Sequence, residues 1–324
     1  MQWKAFCFGQ LMASTVTAAN LINEVLMRIY STNMAGISMI FLYSLLLLVF
    51  APIHIFKRQK ASKLQDDCVK SLEDAEKQKQ SEPDKKARYP WLWFTLSAFL
   101  DFEANFLAIL SFSYLNVILV ISLYCLTTPI VMILSFFILH TRFRWNHYVG
   151  SCLAIGGILF LFLVKSALHE ENPGNVVIGS IIGASAAILF AISNVLQEYI
   201  SVQFDSIEYL ASLGAAGVCF ALIQTALSDC FMATGNFSAS QFTLPTTLLV
   251  LAFALAMLIF YSLTPLFLSK HSAVILNLSL ISSAVVTLII SLGVFSFSID
   301  WKFILSFSLI IIGLVLYNIQ ESKK

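Results

Sequence analysis

Ten apolar segments, each about as long as the roughly 17–25 residues needed to cross a bilayer as a helix, cover most of this 324-residue chain. Hydrophobic residues make up 59% of the chain and charged residues only 11%, against about half and a quarter in soluble domains. No sizeable soluble domain fits between the segments, so an all-α membrane protein with ten transmembrane helices is predicted. The segments are residues 5–27, 34–56, 91–113, 116–139, 147–164, 176–200, 209–230, 245–268, 273–295 and 301–318.

The first segment has the length and the polar residues of a retained helix rather than those of a cleaved signal peptide. The distribution of cations then predicts the orientation, because cytosolic loops are enriched in Lys and Arg. With a cytosolic N-terminus, the cytosolic segments hold sixteen of the 19 Lys and Arg residues and the opposite side holds three. We therefore expect a multi-pass protein with both termini in the cytosol.

Two loops have distinctive sequences. The segment 57–89 mixes ten cations with seven anions and has few apolar residues, so a solvated, mobile linker between the second and third helices is predicted. Whether this linker also binds a partner is left open. The longest non-cytosolic loop contains the sequon Asn236-Phe237-Ser238, which makes Asn236 a candidate glycosylation site.

A weak internal repeat relates the two halves of the chain. Residues 118–160 align without gaps on residues 274–316, an offset of 156 that places Trp145 on Trp301 and Gly157 on Gly313. Because each half has five helices, an odd number, the second half enters the membrane in the opposite orientation. The sequence thus predicts two inverted five-helix repeats, 1–165 and 166–324, an arrangement typical of transporters with a site at the midplane.

Among the acidic residues inside or near the ends of the apolar segments are Glu24, Asp101, Glu103 and Glu198. A carboxylate at bilayer depth costs about 2.5–3.5 kcal/mol, so such residues usually face a water-filled path, a partner or a substrate. Asp101 and Glu103 lie about 200° apart around one helix, so they cannot share a face. One of them can line a cavity while the other contacts a neighbouring helix. Packing between helices is the alternative role for each acid.

Polar residues recur at helical spacing around these acids. Asn105 is one turn from Asp101, and Asn194, Gln197 and Glu198 form a second stripe that continues to Ser201. A proline in a spanning helix removes a backbone hydrogen bond and allows a bend, which makes Pro129 and Pro265 candidate bending points. Lys270, in a tight cytosolic turn, is a candidate anion contact or an ordinary positive flank. The residues predicted to bind substrate or to couple transport are Asp101, Glu103, Asn105, Tyr124, Asn194, Glu198, Tyr261 and Asn277.

The sequence contains none of the short motifs of the common nucleotide-driven or hydrolytic proteins. It has neither a phosphate-binding GxxxxGK[ST] loop nor an HExxH or GxSxG motif. The six cysteines form no CxxC pair and have no histidines at metal-ligand spacing, so neither a disulfide framework nor a metal site is predicted. We expect no cofactor, no catalytic residues, no nucleic-acid partner and no enzymatic activity.

Five short motifs resemble those of the F-type members of solute-carrier family 35, in the drug/metabolite transporter superfamily. The first is Asp101-Phe102-Glu103-Ala104-Asn105, and the second, residues 194–200, has Gln197 where the family has Glu. The others are residues 206–210, 261–265 and 277–280, in the family's order along the chain. The resemblance implies a ten-helix carrier that works by alternating access. It also implies nucleobase-like or vitamin-like solutes, such as the amine-bearing queuine.

The residues favour a small neutral or cationic nucleobase-like or nucleoside-like solute, because a pyrophosphate at mid-membrane needs cations and none lies inside the predicted helices. Two alternatives stay open. A nucleotide-sugar antiporter would need Lys270 or Arg28 to reach the substrate, and a non-transporting scaffold would need the linker to be the working part. The lipid bilayer and a small molecule are the expected partners. Homodimerisation and the choice between plasma membrane and Golgi stay open.

Overall fold

The computed structural model describes residues 2–32, 34–72, 90–138, 145–167, 173–232, 242–295 and 301–318. This part of the chain contains eleven α-helices and no strand, which confirms an all-α architecture. The helices are α1 (Gln2–Arg28), α2 (Ala35–Leu72), α3 (Pro90–Ser111), α4 (Val117–Tyr124), α5 (Thr127–Ile138), α6 (Trp145–Ala167), α7 (Pro173–Gln203), α8 (Ser206–Met232), α9 (Leu244–Leu268), α10 (Ala273–Phe295) and α11 (Trp301–Asn318).

Every predicted apolar segment coincides with one helix or, for residues 116–139, with the pair α4 and α5. Six helical segments among the described residues are long and apolar enough to cross a membrane. They are 35–62, 90–111, 119–138, 176–203, 206–228 and 244–268. The other predicted segments form α1, α6, α10 and α11, and a count of ten spans stays a prediction.

The fourth predicted helix is broken in the middle. A turn at Cys125 and Leu126 separates α4 from α5, and the N–H of Leu126 donates to the carbonyl of Leu123 over 3.0 Å in a tightened turn. Pro129 explains the break, because its ring clashes with the carbonyl four residues earlier, at Cys125, and it has no N–H to donate. The other predicted bending point behaves differently, since α9 runs without interruption through Pro265 and ends three residues later.

The structure corrects the first part of the predicted mobile linker. Instead of ending near residue 56, α2 continues as a helix to Leu72. Residues 57–72 contain four Lys and two Gln, which favour helix, and no Gly or Pro, and extending an existing helix requires no new nucleation. The rest of the predicted linker, 73–89, and the sequon at Asn236 lie outside the described residues.

Two groups of helices face each other across the centre of the protein. In the α1 group, α1 packs closely on α9 and α10; in the α7 group, α7 packs closely on α3, α4 and α5. Contacts between the two groups are sparse, and in particular α7 meets α10, and α1 meets α4, over small areas. Outside these groups, α2 packs along α8 and α6 packs along α11.

The α6–α11 pair packs through two glycines in a reciprocal way. A Cβ on Gly157 would lie 2.8 Å from the carbonyl oxygen of Ser306, and a Cβ on Gly313 would lie 2.5 Å from the carbonyl oxygen of Gly150. Small residues of this kind let membrane helices approach each other closely. Adding 156 to the numbers of Gly157 and Gly150 gives Gly313 and Ser306. Each contact therefore joins the repeat equivalents of the two residues that form the other contact.

Large apolar side chains cover much of the outer surface. Leu48, Phe56 and Trp145 are 69%, 71% and 83% exposed, and they belong to a long series of exposed Leu, Ile, Val and Phe residues on the helices. So many exposed large apolar side chains are unusual on a monomer in water. On helices long enough to span a bilayer, it is the surface that contacts lipid.

Candidate functional site

A cavity lies between the α1 group and the α7 group. It holds about 1080 Å³ of empty space, including its open mouth. Half of the residues around it belong to each group, so the cavity is shared equally by the two. The α1 group contributes Val16, Ala19, Asn20, Asn23, Phe253, Met257, Phe260, Tyr261, Asn277, Leu280, Ser283 and Ala284. The α7 group, with the turn between α4 and α5, contributes Asp101, Asn105, Ala108, Ile109, Ile121, Tyr124, Cys125, Thr127, Thr128, Phe190, Asn194 and Gln197.

Asp101 lies in the wall of this cavity and is held by three neutral donors. The hydroxyls of Tyr43 and Tyr261 donate to its Oδ2 atom over 2.7 and 2.5 Å, and Nε2 of Gln197 donates to Oδ1 over 3.2 Å. The side chain is only 3% exposed. Hydrogen bonds to an ionised carboxylate are stronger than those between neutral groups, and here they come from α2, α9 and α7. The carboxylate therefore ties four helices together.

Among the residues that the structure describes, the cavity wall carries one acidic side chain and no cation. Asp101 is the single Asp or Glu among the residues around it, and Lys, Arg and His are absent from that set. The described ion pairs lie elsewhere: Arg28 binds Glu24, and Nζ of Lys57 is 2.6 Å from Oδ1 of Asp205. A charged group that enters the cavity therefore meets a single carboxylate.

Amide side chains and aromatic rings also line the cavity. Nδ2 of Asn105 donates to the hydroxyl of Tyr261 over 2.8 Å, and Nδ2 of Asn194 donates to Oδ1 of Asn277 over 3.4 Å. The ring of Tyr124 stands edge-on to that of Phe190, with centroids 6.1 Å apart. Amides offer both donors and acceptors, so this wall can bind the polar edge of a heterocycle.

The structure brings six of the predicted site residues together in the cavity and leaves three outside it. Glu103 is half-buried on α3, Lys270 is exposed in the turn between α9 and α10, and neither lines the cavity. Glu198 is buried, but its Oε2 atom accepts a 2.7 Å hydrogen bond from the backbone N–H of Ala273, the first residue of α10. The six residues in the wall are Asp101, Asn105, Tyr124, Asn194, Tyr261 and Asn277.

Three amide side chains and one phenol at the site were not among the predicted site residues: Asn20, Asn23, Gln197 and Tyr43. Tyr43 lies in an apolar stretch of α2, and no pattern in the sequence marks it. For the others a signal exists, because Asn20-Leu21-Ile22-Asn23-Glu24 on α1 matches Asn194-Val195-Leu196-Gln197-Glu198 on α7 at an offset of 174. A search for a repeat across the first helix of each half would have found it.

The residues around the cavity are themselves related by the two offsets. At 174 residues, members of α1 pair with members of α7, and at 156 residues, members of α3, α4 and α5 pair with members of α9 and α10. The two offsets differ by 18 residues because the segment between α1 and α3 is longer than the corresponding segment between α7 and α9. The pairs are 16 with 190, 20 with 194, 23 with 197, 101 with 257, 105 with 261, 121 with 277, 124 with 280, 127 with 283 and 128 with 284.

Metal binding finds no support in the described part of the chain, where no cluster of three or more His, Cys, Asp or Glu residues could hold an ion. The described cysteines, 7, 125, 152 and 219, are free thiols. The chemistry available in the cavity is therefore that of one carboxylate, several amides and hydroxyls, and aromatic rings.

Comparisons with known proteins identify the family. Solute carrier family 35 member F2 from Mus musculus is 28% identical over 316 residues, which cover 97% of this chain and 78% of the mouse protein. An uncharacterized solute carrier family 35 member from Schizosaccharomyces pombe is 27% identical over 98% of this chain and 58% of its own length. The F2 member from Xenopus tropicalis is 28% identical over 70% of this chain and 59% of its own length, so this chain spans less than two thirds of the last two proteins.

A crystal structure that is 14% identical to this chain matches it with a TM-score of 0.60 and covers 95% of both chains, which shows a common fold. A sequence profile of the F group of solute carrier family 35 matches residues 83–319, well over half of the chain. These relatives are membrane solute carriers rather than enzymes. This multi-pass integral membrane protein belongs to solute carrier family 35, in its F group.

Proposed function

We propose that this protein is a secondary transporter that moves a small neutral or cationic nucleobase-like solute by alternating access. The observation that carries this proposal is the charge of the cavity: Asp101 is its single acidic residue, and it is held by neutral donors alone. A buried carboxylate is stabilised by a proton or a cation. An amine on a bound ring would form a charge-assisted hydrogen bond with it.

The same charge argues against a nucleotide sugar. A diphosphate brought beside Asp101 would be repelled, and the described lining of the cavity contains no Lys, Arg or His to offset that repulsion. Lys270, the cation that such a substrate would need, is exposed in the turn between α9 and α10. We therefore propose the heterocycle rather than the nucleotide sugar as the substrate class.

The remaining groups in the wall suit a flat ring with polar edges. Aromatic side chains offer stacking surfaces, which are worth about 1–3 kcal/mol per base in nucleic-acid complexes. Tyr124, Phe190 and Phe260 are the candidates for this role. The amides of Asn20, Asn194 and Asn277 offer donors and acceptors to the ring edge. Together with Asp101, they form the substrate-binding set that we propose.

We also propose that the chain consists of two inverted five-helix halves, 1–165 and 166–324, with ten spans and both termini in the cytosol. Two features support this architecture. Nine pairs of cavity residues are related by the offsets of the sequence repeat, and the glycine contacts between α6 and α11 are exchanged by one of them. An inverted repeat exchanges the two faces of the membrane, so a cavity shared equally by the two groups of helices can open to either side in turn.

Ligand-dependent thermal stability of the purified protein tests the substrate class. A ligand that binds only the folded state stabilises it by about 2.7 kcal/mol at a hundredfold excess over Kd. We expect amine-bearing nucleobase analogues to raise the unfolding temperature and UDP- or GDP-sugars to leave it unchanged. The Asp101→Asn variant should lose this response and Glu103→Gln should keep it. Stabilisation by a nucleotide sugar that disappears in Lys270→Ala would contradict the proposal.

A further inference from the structure

The buried acids outside the cavity wall, Glu24 and Glu198, occupy equivalent positions in the repeated motifs of α1 and α7. They are 1% and 2% exposed. Each follows directly after a cavity residue, Asn23 or Gln197, in its motif. Neither has a role in the binding site described above, although burying a carboxylate is costly unless it has good partners.

The contact made by Glu198 crosses between the two groups of helices. Its Oε2 atom accepts from the backbone N–H of Ala273 over 2.7 Å, so α7 holds the first turn of α10. The first N–H groups of a helix have no partner within the helix, and its N-terminus carries a partial positive charge, so a carboxylate is well placed there. Since α7 and α10 otherwise meet over a small area, this bond is a main element of their contact.

The same contact lies at one end of the cavity. Asn194 and Asn277, which line the cavity, are bonded to each other across the same pair of helices. Glu198 is one turn beyond Asn194, and Ala273 is one turn before Asn277, so the two bonds form successive rungs between antiparallel helices. The Glu198 bond therefore lies just beyond the cavity residues, at the end that faces the predicted cytosolic side.

We call the contact between the α1 group and the α7 group at each end of the cavity a seam. The repeat offsets place a seam between α1 and α4 that matches the seam between α7 and α10, at the opposite end of the cavity. Subtracting 174 from Glu198 gives Glu24, and subtracting 156 from Ala273 gives Val117, which is the first residue of α4. The helices α1 and α4 meet over a small area, as α7 and α10 do. The two ends differ in one respect. Arg28 binds Glu24, whereas the residue equivalent to Arg28 near Glu198 is the uncharged Val202.

We propose that Glu198 and Glu24 are the two gate residues of the transporter, each clasping the N-terminus of the helix that faces it across the seam between the two groups. The Glu198 clasp on α10 closes the cytosolic end of the cavity, and the Glu24 clasp on α4 closes the other end. This assignment rests on the alternating-access function proposed above. It assigns the acids a positioning role, in which they set which side the cavity faces without contacting the substrate.

Side-specific labelling of paired reporters tests the gates. In a background without native cysteines, Ser201→Cys reports on the α7–α10 end and Met27→Cys, at the equivalent position, on the α1–α4 end. Ser201 is buried and Met27 half-buried. We expect Glu198→Gln to raise the labelling rate at residue 201 by about fivefold, the effect of losing one favourable carboxylate at a helix N-terminus, and to lower it at residue 27. Glu24→Gln should have the opposite effect on both reporters.

Two comparison variants make the outcome decisive. Glu103→Gln, an acid outside both seams, should change neither reporter. Glu198→Asp keeps the charge with a shorter reach, so it should shift the reporters in the direction of Glu198→Gln by a smaller amount, and it serves if the Gln variant fails to fold. The proposal is wrong if either Gln variant raises both rates, as general loosening would, or changes neither. Labelling uses no substrate, so an error in the substrate class would leave this result unaffected.

Discussion

Nδ2 of Asn105 donates a 2.8 Å hydrogen bond to the hydroxyl of Tyr261, and these residues lie 156 positions apart, the offset that relates the two halves of the sequence. A residue and its repeat equivalent thus touch each other in the wall of the cavity. The chemistry on the two sides differs, because the equivalent of Asp101 is Met257. Symmetric helices therefore surround a site with a single acid.

Removing the tyrosine hydroxyls tests how strongly Asp101 depends on its neutral donors. Tyr261→Phe or Tyr43→Phe keeps the ring and deletes one hydrogen bond to the carboxylate. Hydrogen bonds to charged groups contribute about 1.5–3 kcal/mol, so we expect each variant to lower the unfolding temperature clearly. Tyr114→Phe, at a 37% exposed position, is the control and should have little effect. Equal unfolding temperatures in all three variants would show that the donors do not stabilise Asp101.

Two adjacent glycines on α6 provide a test of the close packing between α6 and α11. Gly157→Ala forces a methyl group against the backbone of Ser306 and Ile310, whereas a Cβ on Gly156 meets nothing within 4 Å. Overpacking costs about 1–3 kcal/mol, so Gly157→Ala should lower the unfolding temperature. Gly156→Ala should leave it equal or slightly higher, because Ala favours helix by about 1 kcal/mol over Gly. Similar losses in both variants would contradict the reciprocal glycine contact.

The inverted orientation of the halves predicts which side of the membrane two equivalent tryptophans face. Trp145 begins α6 and Trp301 begins α11, and both side chains are largely exposed. In sealed vesicles of known orientation, a single cysteine at residue 145 should react with an impermeant thiol reagent from the cytosolic side. A single cysteine at residue 301 should react from the other side. Reaction of both from the same side would exclude inverted halves.

The sequence predicted the positions of the helices well, because runs of apolar residues of bilayer length are a strong and local signal. The ends of the helices were predicted less accurately. The break between α4 and α5 depends on the proline in that segment, and α2 extends beyond its apolar part because its polar continuation also favours helix. Apolarity alone marks the part of a helix in lipid and not where the helix ends.

The residues that line the candidate cavity were predicted in part, for reasons that differ between residues. Asp101 and Asn105 were found because polar residues one turn apart in an apolar helix must share a face. Glu103 was predicted because a carboxylate at bilayer depth is costly. It lies on a different face of α3 from Asp101 and Asn105, however, and is half-buried. Tyr43 could not be predicted, since its role depends on the approach of α2 to Asp101 across the fold. Glu198 was found as a buried acid, but its partner is a backbone N–H that no sequence pattern specifies.

Uptake into proteoliposomes by a matched pair of variants tests the central claim most directly. Asp101→Asn and Glu103→Gln each remove one carboxylate from α3 with little change in shape, and only the first lies in the cavity wall. With an amine-bearing nucleobase analogue as the labelled solute, we expect wild type and Glu103→Gln to take it up at similar rates and Asp101→Asn to lose uptake at least tenfold while keeping its expression. Equal uptake by Asp101→Asn and wild type would contradict the role of Asp101 and, with it, the proposed substrate class.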